Sequence, residues 1–302
     1  MPSSLTSMTS SAPFGRMLTA MATAFTDDGA VDLDGTAAIA AHLVDHGHDG
    51  VVVSGTTGES PTTSVRETGD ILRAVKDAVG DRAKVVAGVG TNATAHSIDL
   101  AQQAEKLGAD ALLLVTPYYN KPGQAGVLHH FQQVVGATGT PVILYDVPGR
   151  TATQISVETY ARIKSDTVVA VKDAVGDYAR GVELTQMGYA IYSGDDVANL
   201  GWLAHGASGV ISVVGHVAGR QIRSMIEDFL DGNTAAALKT YTTLLPATRA
   251  IMGAPNYGAT TAKAALQLLG VLDNRNVRGP LVALTDDEVA ALRAGLEASH
   301  LL

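Results

Sequence analysis

The strongest constraint in this sequence is an alternation repeated eight times: a short run rich in Val, Ile, Leu and Ala, then a longer stretch whose apolar residues recur at helical spacing. Strands are expected over residues 18–25, 50–54, 84–89, 111–116, 141–145, 168–172, 190–193 and 209–213. Helices are expected between them, for instance over 32–46, 65–79, 94–107 and 197–205. Eight such units match a (β/α)8 TIM barrel, and all-apolar runs such as Val168-Val169-Ala170-Val171 suit parallel strands buried on both faces. A doubly wound open sheet is the competing α/β arrangement. It would place a Gly-rich turn after its first strand, whereas here that strand runs into Thr26-Asp27-Asp28-Gly29 with no G-x-G-x-x-G.

The barrel is therefore expected over residues 16–233. Residues 234–302 lose the strand signal and read as a C-terminal helical extension, with helices over 234–252, 256–269 and 286–299. Residues 1–15 are rich in Ser and Thr, carry no charged side chain, and lack the basic and apolar regions of a secretory signal. They are expected to form a disordered tail.

Composition removes whole classes of function. With 302 residues and 46% of them hydrophobic, the chain has ample material for a large core. Its formal net charge of −9 opposes binding to a phosphate backbone, so nucleic acid is not an expected partner. The absence of cysteine excludes disulfides, a thiolate nucleophile and Cys-ligated metals, and fits a reducing, cytoplasmic setting. No apolar run approaches the roughly 20 residues of a membrane-spanning helix. The nine histidines are scattered without zinc-like spacing, so no metal is expected.

In a barrel the reactive groups lie where strands end and loops begin. Lys172 is the most informative of these positions, because four apolar residues carry it to the active end of its strand. Loss of water there lowers a lysine pKa and frees the neutral amine that forms a Schiff base with a carbonyl. The other seven lysines fall at a strand start (Lys84), on helical stretches (Lys76, Lys106, Lys164, Lys239, Lys263) or on a loop (Lys121). A structural pairing of Lys172 with Asp173 is the plainer alternative. Tyr145 ends the neighbouring strand, about 4.8 Å away in a parallel sheet, and could shuttle protons. Thr56 and Thr57, between Gly55 and Gly58, offer amides and hydroxyls to a carboxylate. Arg150 offers a bidentate site to a second carboxylate, or pairs with Asp146. Asp195-Asp196 after the seventh strand disfavours a phosphate site there, and a role in holding the rim suits them better.

Taken together, the loops GTTGES (55–60), VTPYYNKP (115–122), YDVPGRT (145–151), VKDAVGD (171–177), YSGDD (192–196) and GVISV (209–213) resemble the dihydrodipicolinate synthase / N-acetylneuraminate lyase family in order and spacing. The resemblance runs over roughly residues 16–300. It implies a cofactor-independent class I aldolase in which Lys172 forms the imine with pyruvate and the enamine attacks L-aspartate 4-semialdehyde. It implies a proton relay of Tyr145, Thr57 and Tyr119, with Tyr119 reaching into a neighbouring subunit across a tight dimer. It implies pyruvate carboxylate binding by Thr56 and Thr57, with Gly194 and Ile211 lining the pocket, and semialdehyde binding by Arg150. The implied assembly is a homotetramer built as a dimer of dimers. Positions matching the lysine-inhibited pattern are occupied here by Val65, Thr68 and His96, which implies weak or absent lysine feedback. A sialic-acid or 2-keto-3-deoxy sugar-acid aldolase using the same lysine, and a non-catalytic keto-acid-binding barrel, are the rival readings.

Overall fold

The computed structural model describes residues 11–254 and 256–302. Eight parallel strands close into a barrel in sequence order: β1 (Met17–Ala20), β2 (Gly50–Val53), β3 (Lys84–Gly88), β4 (Ala111–Val115), β5 (Val142–Asp146), β6 (Val168–Asp173), β7 (Ala190–Ser193) and β8 (Gly209–Ser212). β1 pairs with both β2 and β8, which removes every sheet edge. The interior is filled by Leu18, Val52, Val86, Leu113, Ile143, Ala170, Tyr192 and Ile211, so the barrel is a packed core with chemistry only at its mouth. A second apolar layer lies between the strands and the outer helices, which is why the strands read as unbroken apolar runs.

β1 is shorter than the run of apolar residues that marks it. Residues 21–25 stay buried and the Met21 amide still donates to the Val52 carbonyl of β2 at 3.0 Å, but the next amides turn to side chains: Ala22 donates to Nε2 of His216 at 3.0 Å and Ala24 to the Thr36 hydroxyl at 3.0 Å. His216 also bonds the Val213 carbonyl through Nδ1 at 2.7 Å. It is the neutral tautomer, in keeping with burial that pushes its pKa down to about 4. The histidine after β8 thus fastens the start of the barrel to its end.

The expected tail lies mostly outside the described residues. At its end, Phe14 is buried beneath the barrel interior, donating its amide to the Tyr192 hydroxyl at 3.2 Å, so ordered structure begins before residue 16. Beyond the last barrel helix (Gly215–Leu230) come helices Thr234–Met252, Ala259–Leu268 and Asp286–Ala298. Their apolar faces share one core with Met17, Val210 and Ile222 of the barrel. The expected division near residue 233 therefore falls inside a continuous core. Helix Ala259–Leu268 starts three residues later than its periodicity predicts, because Gly258 enters it at φ 102°, a conformation closed to other residues without strain.

Candidate active site

Side chains alternate along a strand, and that period sorts the ends of β5 and β6 into two layers. Tyr145 pairs in register with Lys172, and Asp146 with Asp173. Tyr145 and Lys172 face the barrel mouth, with the Lys172 Nζ 4.4 Å from the centre of the Tyr145 ring. Asp146 and Asp173 point the other way, where Arg180 of helix Tyr178–Gln186 bonds both, at 2.7 Å to Asp173. Each of the three is buried. Asp146 and Asp173 are thus taken by one arginine, and neither expected alternative holds: Lys172 does not pair with Asp173, nor Arg150 with Asp146.

Lys172 is 4% exposed and, among the described residues, its amine has no hydrogen bond or ion pair. Burial lowers its pKa to about 8, against a pull upward from Asp196 and a smaller push downward from Arg150. At pH 7 roughly a tenth of the amine is then neutral, compared with roughly one part in three thousand for a lysine at 10.5. The rate of borohydride-trapped imine at limiting pyruvate is expected to rise about tenfold from pH 6 to 7 and to level off above about 8. A rate still climbing steeply at pH 10 would mean the amine behaves like any surface lysine.

Lys263 makes an instructive contrast. It is fully buried and its pKa is also lowered to about 8 by burial, yet it is bonded to Glu59 and to the Asn276 carbonyl at 2.7 Å. Its lone pair has no open carbonyl to attack. The helical spacing around Lys263 gives no sign of this burial, because its partner lies 204 residues earlier.

That ion pair shapes the threonine loop. Glu59 sits at φ 57° and Ser54 at φ 51°, the left-handed ends of a tight turn. Glu59 is held there by Lys263 and by the Arg278 amide at 2.9 Å. A side chain at Gly58 would come within 3.1 Å of the Ser54 amide nitrogen. The turn sets Thr57 in a buried position and Thr56 toward the opening, both lining a cavity of about 370 Å³ with Tyr145, Arg150, Lys172, Gly194 and Tyr257. Gly194 is needed small: a Cβ there would press on Cγ and Cε of Lys172 at 3.1 Å.

Arg150 rises from a single helical turn, Pro148–Thr151, and is exposed at the cavity rim with its guanidinium 4.8 Å above the Tyr257 ring. Among the described residues no carboxylate pairs with it. Burial pushes the Tyr145 phenol well above its ordinary pKa, so it is a proton donor at neutral pH and not a resident phenolate. Asp196 is buried and accepts from the Val213 and Val214 amides at 2.7 and 3.0 Å, from Asn199 and from the Ser212 hydroxyl, so it fastens the rim.

Two expected residues lie elsewhere. Ile211 is fully buried in the barrel interior, and the cavity wall at that strand is Val213. Tyr119 lines an adjoining cavity of about 310 Å³ with Thr56, Ser60, Tyr118, Tyr145 and Arg150, and is 89% exposed at φ 74°. Within one chain it shares that cavity with Tyr145, whereas Thr57 and Lys172 line the other one. Val65 and His96 are exposed in the first turns of helices Val65–Val79 and Thr94–Lys106. The sequence reading missed Arg180, Lys263 and Tyr257, whose partners come from distant segments.

Comparison with known proteins meets the same fold. The Dihydrodipicolinate synthetase family profile matches residues 13–299. The 4-hydroxy-tetrahydrodipicolinate synthase of Kineococcus radiotolerans is 56% identical over 286 residues, 94% of this chain and 92% of that protein. Among solved structures, dihydrodipicolinate synthase from Bacillus anthracis superposes with a TM-score of 0.90 at 41% identity, covering 94% of this chain and 98% of that one. The enzyme from Cyanidioschyzon merolae, solved with lysine bound, gives 0.92 at 37% identity, covering 97% and 100%. Joined to the Lys172–Tyr145 pair at a barrel mouth, these likenesses establish that the chain belongs to the dihydrodipicolinate synthetase family.

Proposed function

We propose that Lys172 captures pyruvate as an imine and that the resulting enamine attacks L-aspartate 4-semialdehyde, making the chain a cytoplasmic lyase of lysine biosynthesis. The carrying observation is a buried, unpaired amine 4.4 Å from the centre of the Tyr145 ring, beside a protonated phenol. The neutral amine adds to the keto carbon of pyruvate, and loss of water gives the imine. The imine loses a methyl proton to become the enamine, whose carbon then bonds the aldehyde carbon as the aldehyde oxygen takes up a proton; this restores an iminium on Lys172, and addition of water or of the substrate's own amine to it releases the product and frees the lysine. The iminium nitrogen is the electron sink, so the chemistry calls for no cofactor.

Thr56 and Thr57 hold the pyruvate carboxylate, and Gly194 leaves room for the lysine stem. Tyr145 and Thr57 pass protons. Tyr119 serves the site of a neighbouring copy in a homo-oligomer assembled as a dimer of dimers, a reading supported by its near-complete exposure and positive φ. Arg150 holds the semialdehyde carboxylate.

The reading is tested by steady-state turnover of pyruvate with aspartate semialdehyde, N-acetylmannosamine and glyceraldehyde in parallel. Only the semialdehyde is expected to turn over well, and preference for either sugar aldehyde would transfer the chain to the sugar-acid branch. Arg150→Ala is expected to lower kcat/KM for the semialdehyde by about 10- to 100-fold, the loss of a charged hydrogen-bonding pair. Imine formation with pyruvate is expected to survive in it.

A further inference from the structure

We propose that Tyr257 is a positioning residue for the second-substrate carboxylate, acting by stacking on Arg150. This rests on the role given to Arg150 above. Tyr257 belongs to the segment between helices Thr234–Met252 and Ala259–Leu268, and with Met252 and Gly258 it brings the C-terminal region to the cavity that holds Lys172. The amides of Tyr257 and Gly258 both have partners. The Tyr257 amide donates to the Ala254 carbonyl at 3.1 Å, and the Gly258 amide to the Thr261 hydroxyl at 3.1 Å. The helix that follows is fixed by the buried Lys263–Glu59 pair.

A guanidinium carries its five N–H groups in one plane, so a ring lying over its face uses none of them. An ion pair would fix the same side chain but would neutralise it and occupy its donors. Stacking instead limits the rotamers of an exposed arginine at the rim and leaves the whole N–H edge for an incoming carboxylate. Among the described residues no protein carboxylate competes for that edge. Tyr257 is 38% exposed and belongs to none of the apolar core clusters, so it can be replaced without emptying the core.

The test compares Tyr257→Ala, Tyr257→Phe and Arg150→Ala, singly and as the Tyr257→Ala/Arg150→Ala pair, in the full-length protein. Tyr257→Ala is expected to raise KM for aspartate semialdehyde about five- to tenfold, with kcat and the KM for pyruvate changed less than about twofold. Tyr257→Phe, which keeps the aromatic face, recovers the KM. In the Arg150→Ala background the tyrosine substitution adds nothing further. An unchanged KM in Tyr257→Ala, the same rise in Tyr257→Phe, or a full additive loss in the double variant would each overturn the proposal. Failure of the unsubstituted protein to use the semialdehyde at all would instead bring down the reading of Arg150.

Discussion

Lys172→Ala is expected to remove the pyruvate adduct entirely and to lower turnover by roughly 10³-fold or more, while thermal unfolding stays close to that of the unsubstituted protein. The side chain lines a cavity and bonds to nothing among the described residues, so its loss leaves no buried group unpaired. What disappears is the covalent route. Borohydride with pyruvate followed by peptide mass spectrometry reads the result directly. The variant keeps Lys263, whose pKa is depressed as far, and that makes the experiment discriminating. If a lowered pKa alone made a lysine reactive, an adduct would persist on Lys263. If reactivity also needs an amine free of an anionic partner and open to a cavity, no adduct remains. An adduct surviving in Lys172→Ala would refute the assignment of the nucleophile.

The parts of this molecule that show in its sequence are those whose cause is local. A strand end announces itself by the apolar run before it, so Tyr145 and Lys172 are recognisable, and the register that sets them side by side follows from in-order parallel pairing. The Thr56-Thr57 turn is likewise written in its flanking glycines. What stays hidden is set by contacts between distant segments. The ladder of β1 gives out after Met21 because His216 and Thr36 take the amides of Ala22 and Ala24, and no periodicity within residues 18–25 records that. Lys263 reads as one more helical lysine because Glu59 lies at the other end of the chain. Ile211 and Val213 fall two apart in one apolar run, yet β8 ends at Ser212, so Val213 walls the cavity just beyond the strand while Ile211 lies in the interior. Asp146 and Asp173 each follow a site residue and invite pairing with it, yet strand alternation turns both away to Arg180.

That last arrangement carries the largest expected effect on stability. Arg180→Ala is expected to destabilise the fold by about 3–5 kcal/mol, because among the described residues it removes the one cation between two fully buried carboxylates. The pH dependence separates this cause from a simple packing loss. Burial already raises the Asp146 pKa to about 6, against the opposing pull of Arg180, and raises that of Asp173. Removing the arginine raises both further above the 3.8 of the unfolded chain, so the folded variant gains protons before the unfolded one does. Its deficit is therefore greatest at alkaline pH and narrows as pH falls through neutrality toward 5, which urea unfolding at a series of pH values measures. A packing loss would stay constant over that range. Arg180→Met combined with Asp146→Asn and Asp173→Asn, which empties the site of charge, should recover most of the stability. Because those carboxylates are the immediate neighbours of Tyr145 and Lys172, slower imine trapping in the folded Arg180→Ala protein is the expected companion result: the clamp behind the sheet sets the spacing of the pair in front of it.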